Sequence, residues 1–247
     1  FRRVLFRSRA RRVGNDRPVI DHYKAARATL EAPGAPFHMS TVDVRGVPVR
    51  VFDSSPPNMR LLWESTAAHG DKTYVVYEDE RYSFAEIHAQ VRKLAAHLVA
   101  NGVGRGDRVA LAMRNYPEWV VGYWATLSLG AACVGMNAWW TSPEMEYALD
   151  DSHPKVLIVD DERLERVSHV LEAVRVRVPH PLHVVTVRTD RDMPANAVRW
   201  SDVMAQADPG SLPAATIDPD DDATIFYTSG TTGFPKGAQL THRGCVH

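Results

Sequence analysis

Short apolar runs alternate with segments of helical periodicity through the middle of this chain, and this alternation limits the folds open to it. Four runs are predicted to be buried strands: RVALAM at 108–113, AACVGM at 131–136, KVLIVD at 155–160 and LHVVTV at 182–187. Helices are predicted before and between them, because apolar residues recur there at helical spacing. Parallel strands need crossover connections of this kind. The sequence therefore predicts an α/β fold with mostly parallel sheets flanked by helices.

Several helix boundaries carry their own signals. Ser83 with Glu86 three residues later forms a capping-box pattern, which predicts a helix beginning at this point. Asn115 with Glu118 repeats the pattern and predicts the start of a second helix. A later helix is predicted near 161–176.

Two further segments lie on either side of the alternating region. TYVVYEDERYSF at 73–84 predicts a hairpin with an acidic turn, whose carboxylates are expected to be solvated. Residues 188–222 shift in composition to Pro, Asp and Ala, which predicts a connector with one short helical piece near 200–207. ATIFYT at 223–228 is apolar and β-branched enough to be a buried strand.

The segment after that strand has the chemistry of a phosphate-binding loop. Its nine residues, SGTTGFPKG at 229–237, include three glycines, three hydroxyl side chains and one lysine. Glycine lets backbone N–H groups converge on an anion, because positive φ costs it little, and lysine adds a full charge. The alternative is a surface turn that happens to be rich in Gly and Thr, and the density of matching residues disfavours it.

The nucleotidase P-loop, G-x-x-x-x-G-K-[ST], does not fit this segment. Lys236 follows proline rather than glycine, and Gly237 stands where a hydroxyl residue is needed. Pro235 and Gly237 are also poor residues for a helix interior, whereas a P-loop runs directly into a helix. AQL at 238–240 predicts a second short strand, and Thr241 the cap of a helix. Strand–loop–strand is therefore the expected arrangement.

The run YTSGTTGFPKGAQLTH at 227–242 resembles the phosphate-binding signature of the adenylate-forming enzymes. This superfamily includes acyl-CoA synthetases, nonribosomal peptide adenylation domains and luciferases. Two further segments look like parts of the same superfamily: YSFAEI at 82–87 and LSLGAACVGMNAWWTSPEMEYALDDSHPKVLIVDD at 127–161. The resemblance covers about residues 45–247 and is strongest to fatty-acid and other acyl-CoA ligases.

The resemblance implies an AMP-forming acyl-CoA ligase. Such an enzyme uses ATP, Mg²⁺ and coenzyme A to activate a carboxylic acid, here a fatty acid, through an acyl-adenylate. Two alternatives stay open: an adenylation domain that loads a carrier protein, and a non-catalytic nucleotide-binding module.

The resemblance also assigns residues to the departing phosphates of ATP. The phosphate-binding set is Thr228, Ser229, Gly230, Thr231, Thr232, Gly233 and Lys236. Lys236 is assigned the stabilisation of phosphate charge. No metal ligand is assigned within the chain. The main catalytic lysine and the residues for adenine, ribose and Mg²⁺ are expected beyond His247.

Composition restricts the partners. Residues 1–17 carry seven arginines and one aspartate, so the chain's net charge of −1 leaves −7 on the other 230 residues. An acidic body argues against a nucleic-acid partner. No run reaches the ~18 apolar residues of a membrane-spanning helix. The two cysteines, Cys133 and Cys245, are expected to be buried thiols, and so few cysteines indicate a cytoplasmic protein. The expected partner is a small-molecule substrate.

The expected domain organisation is a tail at 1–17 followed by an N-terminal AMP-binding domain at 18–247. The Arg-rich tail has the composition of a basic arm or transit peptide. Its first eight residues, however, look like a translated sequencing adapter and are expected to belong to no natural fold. The domain is expected to be truncated at its C-terminal side. Truncation would leave this piece inactive and the 223–228 strand with an unpaired apolar edge.

Two tryptophans and one histidine have two interpretations each. Trp139 and Trp140 either line an acyl or cofactor channel or pack behind it, and packing is favoured. His242 either contacts the phosphate-binding loop or packs at the start of the following helix.

Overall fold

A computed structural model of the chain describes residues 17–228 and 235–247. They form two compact units, which divide between Ser55 and Pro56. The smaller unit contains helix α1 (Arg17–Leu30) and a hairpin of β1 (Met39–Val44) and β2 (Val47–Phe52). Its turn residues Arg45 and Gly46 both have positive φ, as a two-residue turn of type I′ requires. Across the described ranges, no helix combines the length and apolarity needed to cross a membrane.

The larger unit alternates helices and strands. Its helices are α2 (Met59–Ser65), α3 (Phe84–Ala100), α4 (Pro117–Ser128), α5 (Ser142–Ser152), α6 (Asp161–Ser168), α7 (Leu171–Arg177), α8 (Trp200–Met204) and α9 (His242–Val246). Its strands are β3 (Thr73–Tyr77), β4 (Glu80–Ser83), β5 (Arg108–Ala112), β6 (Ala132–Gly135), β7 (Val156–Asp160), β8 (His183–Val187), β9 (Ala197–Arg199), β10 (Asp222–Thr228) and β11 (Lys236–Thr241).

Seven of these strands form one sheet in the order β11-β10-β6-β5-β7-β8-β9. All neighbours from β10 to β9 are parallel, and β11 is antiparallel to β10. β3 and β4 form the predicted hairpin beside this sheet as a separate pair. The α/β prediction with a mostly parallel sheet is therefore confirmed.

Both faces of the sheet are buried. Val109 and Leu111 of β5 belong to one hydrophobic cluster, which also contains Ala125 of α4. Ala110 and Ala112 of the same strand belong to a second cluster, which contains residues of α5, α6 and α7. The strand order reverses around β5, because β6 lies on one side of it and β7 on the other. Right-handed crossovers in opposite directions therefore place α4 and α5 on opposite faces. In open α/β sheets, ligands bind at the carboxyl ends of the strands at such a reversal.

Of the three predicted caps, those at Ser83 and Thr241 are confirmed and that at Asn115 is wrong. The Thr241 hydroxyl accepts a hydrogen bond from the Gly244 N–H at 3.1 Å. The Ser83 Oγ accepts a hydrogen bond from the Glu86 N–H at 3.2 Å, and the Glu86 carboxylate accepts one from the Ser83 N–H at 2.7 Å. Helix α4 instead begins at Pro117, with Tyr116 as its N-cap and no side-chain cap bond. Proline has the φ of the first helical turn already, so it starts this helix without Asn115.

Two segments differ from the predicted secondary structure. The helix expected near 161–176 is divided into α6 and α7, because Val170 has a φ of −112°, outside the helical range. Strand β9 lies inside the predicted connector. It is three residues long and has no strong pattern of its own, and pairing with β8 gives it its extended form.

β10 is paired on both sides, so the prediction of an unpaired edge there is wrong. It pairs with β6 in parallel and with β11 in antiparallel, which makes β11 the edge strand of the sheet. The cysteine prediction is confirmed for Cys133, which is fully buried and whose pKa burial raises. It is wrong for Cys245, which is only half-buried.

Replacing Ser83 should lower the stability of the full-length protein. In Ser83→Ala the Glu86 N–H loses its acceptor at the start of α3, which costs about 1 kcal/mol. Thermal unfolding measures the effect as a lower melting temperature. Ser211→Ala, in an exposed part of the connector, is the matched control and should melt as the wild type does. Equal melting temperatures for the two variants would contradict a stabilising cap.

Candidate functional site

A pocket of about 610 Å³ lies at the carboxyl ends of β5, β6 and β10. Arg114, Asn115 and Asn137 are polar residues of its described lining. Its aromatic lining consists of Tyr77, Tyr116, Trp119, Trp139, Phe226 and Tyr227. Phe226 and Tyr227 are among the last residues of β10, so the pocket adjoins the strand that leads into the predicted phosphate-binding loop.

The predicted phosphate-binding residues fall partly within the described ranges. Thr228 ends β10 and Lys236 begins β11, and the two are paired across the hairpin. The Thr228 hydroxyl donates to the Lys236 carbonyl at 3.5 Å, and both residues are exposed. The strand–loop–strand arrangement is thus confirmed at both ends of the loop. The remaining residues of the set lie outside the described residues: Ser229, Gly230, Thr231, Thr232 and Gly233.

Trp139 and Trp140 occupy different positions. Trp139 is 70% exposed and lines the pocket, and the Arg114 guanidinium lies over its ring at 4.8 Å from the centroid. Trp140 is 7% exposed and packs edge-on against Tyr227, with 5.6 Å between ring centroids. Trp140 therefore has the packing role that the sequence favours, whereas Trp139 faces the pocket.

A buried ion pair holds the turn that carries these tryptophans. Arg163 is 1% exposed, and its Nη1 lies 2.8 Å from Oδ2 of Asp160. The Arg163 Nε donates to the Ala138 carbonyl at 2.8 Å, and Arg166 donates to the same carbonyl at 3.1 Å. Asp160 also caps α6 and accepts the Arg114 N–H at 3.0 Å. The pair thereby joins β7, α6 and the end of β5 to this turn.

Arg188 contacts two of the aromatic residues that line the pocket, Tyr77 and Tyr116. Its guanidinium donates to both carboxylate oxygens of Glu80, at 2.8 and 2.9 Å, and to Glu118 at 2.9 Å. The same group lies 5.2 Å from the ring centroid of Tyr77 and 5.0 Å from that of Tyr116. Hydrogen bonds from Arg188 lower the pKa of Glu80 to about 2. The Glu80 carboxylate is therefore part of an ion-pair network, not solvated charge as the sequence predicts.

Neither arginine is among the residues predicted from the sequence, and the reasons differ. Asp160 and Arg163 stand three residues apart directly after a buried strand, which is a local signal for a capped, paired helix start. Arg188 lies 108 residues from Glu80, so no local pattern connects them.

His242 packs at the start of α9, one of its two expected roles. It is fully buried, and its Nδ1 accepts the Met59 N–H at 3.2 Å. Burial lowers the pKa of the imidazole, which favours the neutral form that can accept this bond.

Comparison with known proteins places this chain in one family. The model of the family described as AMP-binding enzyme matches residues 62–247. The long-chain-fatty-acid–CoA ligase of Bacillus subtilis (strain 168) is 34% identical over 75% of this chain and 36% of its own length. The 4-coumarate–CoA ligase 2 of Oryza sativa subsp. japonica is 36% identical over 67% of this chain and 30% of its own length.

A solved structure shares the fold as well. The anthranilate CoA ligase AuaEII, in complex with anthranoyl-AMP, superposes with a TM-score of 0.67 and 29% identity. The alignment covers 75% of this chain and 35% of that protein. The chain thus spans about a third of the length of the relatives it matches.

Breaking the buried ion pair should destabilise the protein strongly. In Arg163→Ala the Asp160 carboxylate stays buried without its partner, which costs about 3–5 kcal/mol. Arg177→Ala is the matched control, because Arg177 is 44% exposed and pairs with Glu146 and Asp150 at the surface. Its loss should cost less than about 1 kcal/mol. Denaturant unfolding of the full-length variants compares the two, and similar midpoints would contradict a structural role for the pair.

Proposed function

The chain belongs to the AMP-binding enzyme family, and on that premise we propose that the protein is an AMP-forming acyl-CoA ligase. The observation that carries the proposal is the β10–β11 hairpin. It holds the two ends of a loop rich in glycine and hydroxyl residues at the carboxyl edge of a parallel sheet, beside a pocket. Ligands of open α/β sheets bind at this edge.

The described ends of the loop fit a polyphosphate. The Thr228 hydroxyl and the Lys236 ammonium group are exposed at paired positions, one a hydrogen-bond donor and the other a full positive charge. We propose that they bind the β- and γ-phosphates of ATP together with Ser229, Gly230, Thr231, Thr232 and Gly233. Mg²⁺, when bound, supplies further neutralisation of phosphate charge.

The chemistry explains why such a loop is needed. A carboxylate oxygen must attack the α-phosphorus of ATP, and both groups are anionic. The bond from that phosphorus to the bridging oxygen breaks, and pyrophosphate leaves with its electron pair. Donors that hold the developing charge lower the barrier to this step. In the second step the thiol of coenzyme A attacks the acyl carbon and AMP leaves.

For the acid itself we propose a fatty acid. The similarity to the long-chain-fatty-acid–CoA ligase supports this, whereas the similarity to the 4-coumarate–CoA ligase supports an aromatic acid. Both classes therefore belong in the substrate panel of any test.

We further propose that residues 18–247 form the N-terminal AMP-binding domain of this ligase, preceded by a tail at 1–17. The main catalytic lysine and the residues for adenine, ribose and Mg²⁺ are then supplied by other parts of the full-length protein. A cytoplasmic location completes the proposal, and two free cysteines support it.

Acid-dependent exchange of labelled pyrophosphate into ATP tests the first step directly. The full-length protein should catalyse this exchange with at least one acid from a panel of fatty and aromatic acids. Adding coenzyme A should then yield a thioester. Exchange followed by transfer only to a carrier protein would identify the adenylation-domain alternative. No exchange with any acid would contradict the proposed activity.

Replacing Lys236 should impair ATP use far more than folding. In Lys236→Ala one charge-assisted contact to phosphate is lost, so kcat/KM for ATP should fall about 10- to 100-fold. The melting temperature should stay close to that of the wild type, because Lys236 is exposed. Lys72→Ala removes another exposed lysine, just before β3, and serves as the control. If both variants keep wild-type kinetics, Lys236 does not bind ATP.

A further inference from the structure

The β10–β11 hairpin extends beyond its neighbour in the sheet. β10 pairs with β6 only through Thr224, Ile225 and Phe226. Its pairing with β11 continues to Thr228, opposite Lys236. The end of the hairpin that carries the loop has no hydrogen bonds to β6. Side-chain contacts must therefore fix its position relative to the rest of the sheet.

Tyr227 supplies such contacts in two directions away from the hairpin. Its hydroxyl donates to Oδ2 of Asp151, near the end of α5, at 2.6 Å. Its ring packs edge-on against Trp140 at 5.6 Å. Burial and the bond to Asp151 raise the pKa of Tyr227, so the hydroxyl keeps the proton that it donates.

The facing strand accommodates this ring closely. Gly237 lies opposite Tyr227 in the register of β10 and β11. A Cβ at Gly237 would stand 3.4 Å from the Tyr227 ring and 2.9 Å from the Ile225 side chain. The glycine thus lets β11 approach the side of β10 on which Tyr227 is anchored. At the exit of the loop, Pro235 is buried.

We propose that Tyr227 is a positioning residue for ATP: its bond to Asp151 holds the end of β10 so that Thr228 and Lys236 are placed for phosphate before ATP arrives. This inference rests on the proposed function. A binding site whose base is already ordered loses less conformational entropy on binding and therefore binds more tightly. A merely structural role for the same hydrogen bond would affect melting but leave the affinity for ATP unchanged.

Calorimetric titration of the full-length protein with MgATP, without any acid, tests the inference. Tyr227→Phe keeps the ring against Trp140 and removes only the bond to Asp151. The Kd for ATP should rise about 3- to 10-fold, as expected for the loss of one hydrogen bond. Asp151→Ala should raise it by a similar factor. The double variant should be no worse than either single variant, because both remove the same bond.

Tyr82→Phe is the matched control. The Tyr82 hydroxyl donates to the Glu80 carboxylate at 2.6 Å, the same length as the Tyr227 bond, but in the β3–β4 hairpin. This variant should bind ATP as the wild type does. Wild-type affinity in Tyr227→Phe, or an equal loss in Tyr82→Phe, would overturn the inference and leave the proposed function standing. Absence of MgATP binding by the wild-type protein would overturn both.

Discussion

Parallel pairing of β5 with β6 and β7 is the constraint on which the larger unit depends. Each strand in a parallel sheet must be followed by a crossover, so all the loops that leave carboxyl ends meet along one edge. Burial of both sheet faces leaves these strands no polar side to expose. Polar and aromatic side chains for a ligand therefore come from the loops after these strands and from the end of β10, which carries Phe226 and Tyr227. The pocket beside Phe226 lies at this edge of the sheet for that reason.

Arginine side chains then give those loops defined positions. Arg163 and Arg188 each combine a carboxylate partner with a contact to the pocket wall, through a backbone carbonyl in one case and aromatic rings in the other. The two ion pairs differ in how much they contribute to the stability of the fold. The Arg163 pair is buried, so its main consequence is the large cost of losing one partner. Arg188 is partly exposed, so its ion pairs stabilise the fold less. Its main effect is to fix the position of Glu80 in the β3–β4 hairpin relative to Glu118 of α4.

The hairpin of β10 and β11 carries the two ends of the loop that we propose binds phosphate. Its pairing with β6 ends at Phe226, before the loop begins. Tyr227 links the same hairpin to α5, and α5 begins just after the turn that Arg163 and Arg166 hold. The pocket wall and the base of the loop are therefore mechanically connected through Trp140, which packs on Tyr227 and whose carbonyl accepts a bond from Arg166.

Local signals in the sequence determined the alternating strands and helices, the Ser83 cap and the strand–loop–strand setting of Lys236, because periodicity, capping and turn chemistry act over a few residues. Only the tertiary structure decided the short strand β9 and the ion pair between Glu80 and Arg188. The same holds for the bond from Tyr227 to Asp151. These features involve residues that are distant along the chain or have weak local preferences. They form because of tertiary packing, and no short sequence pattern predicts them.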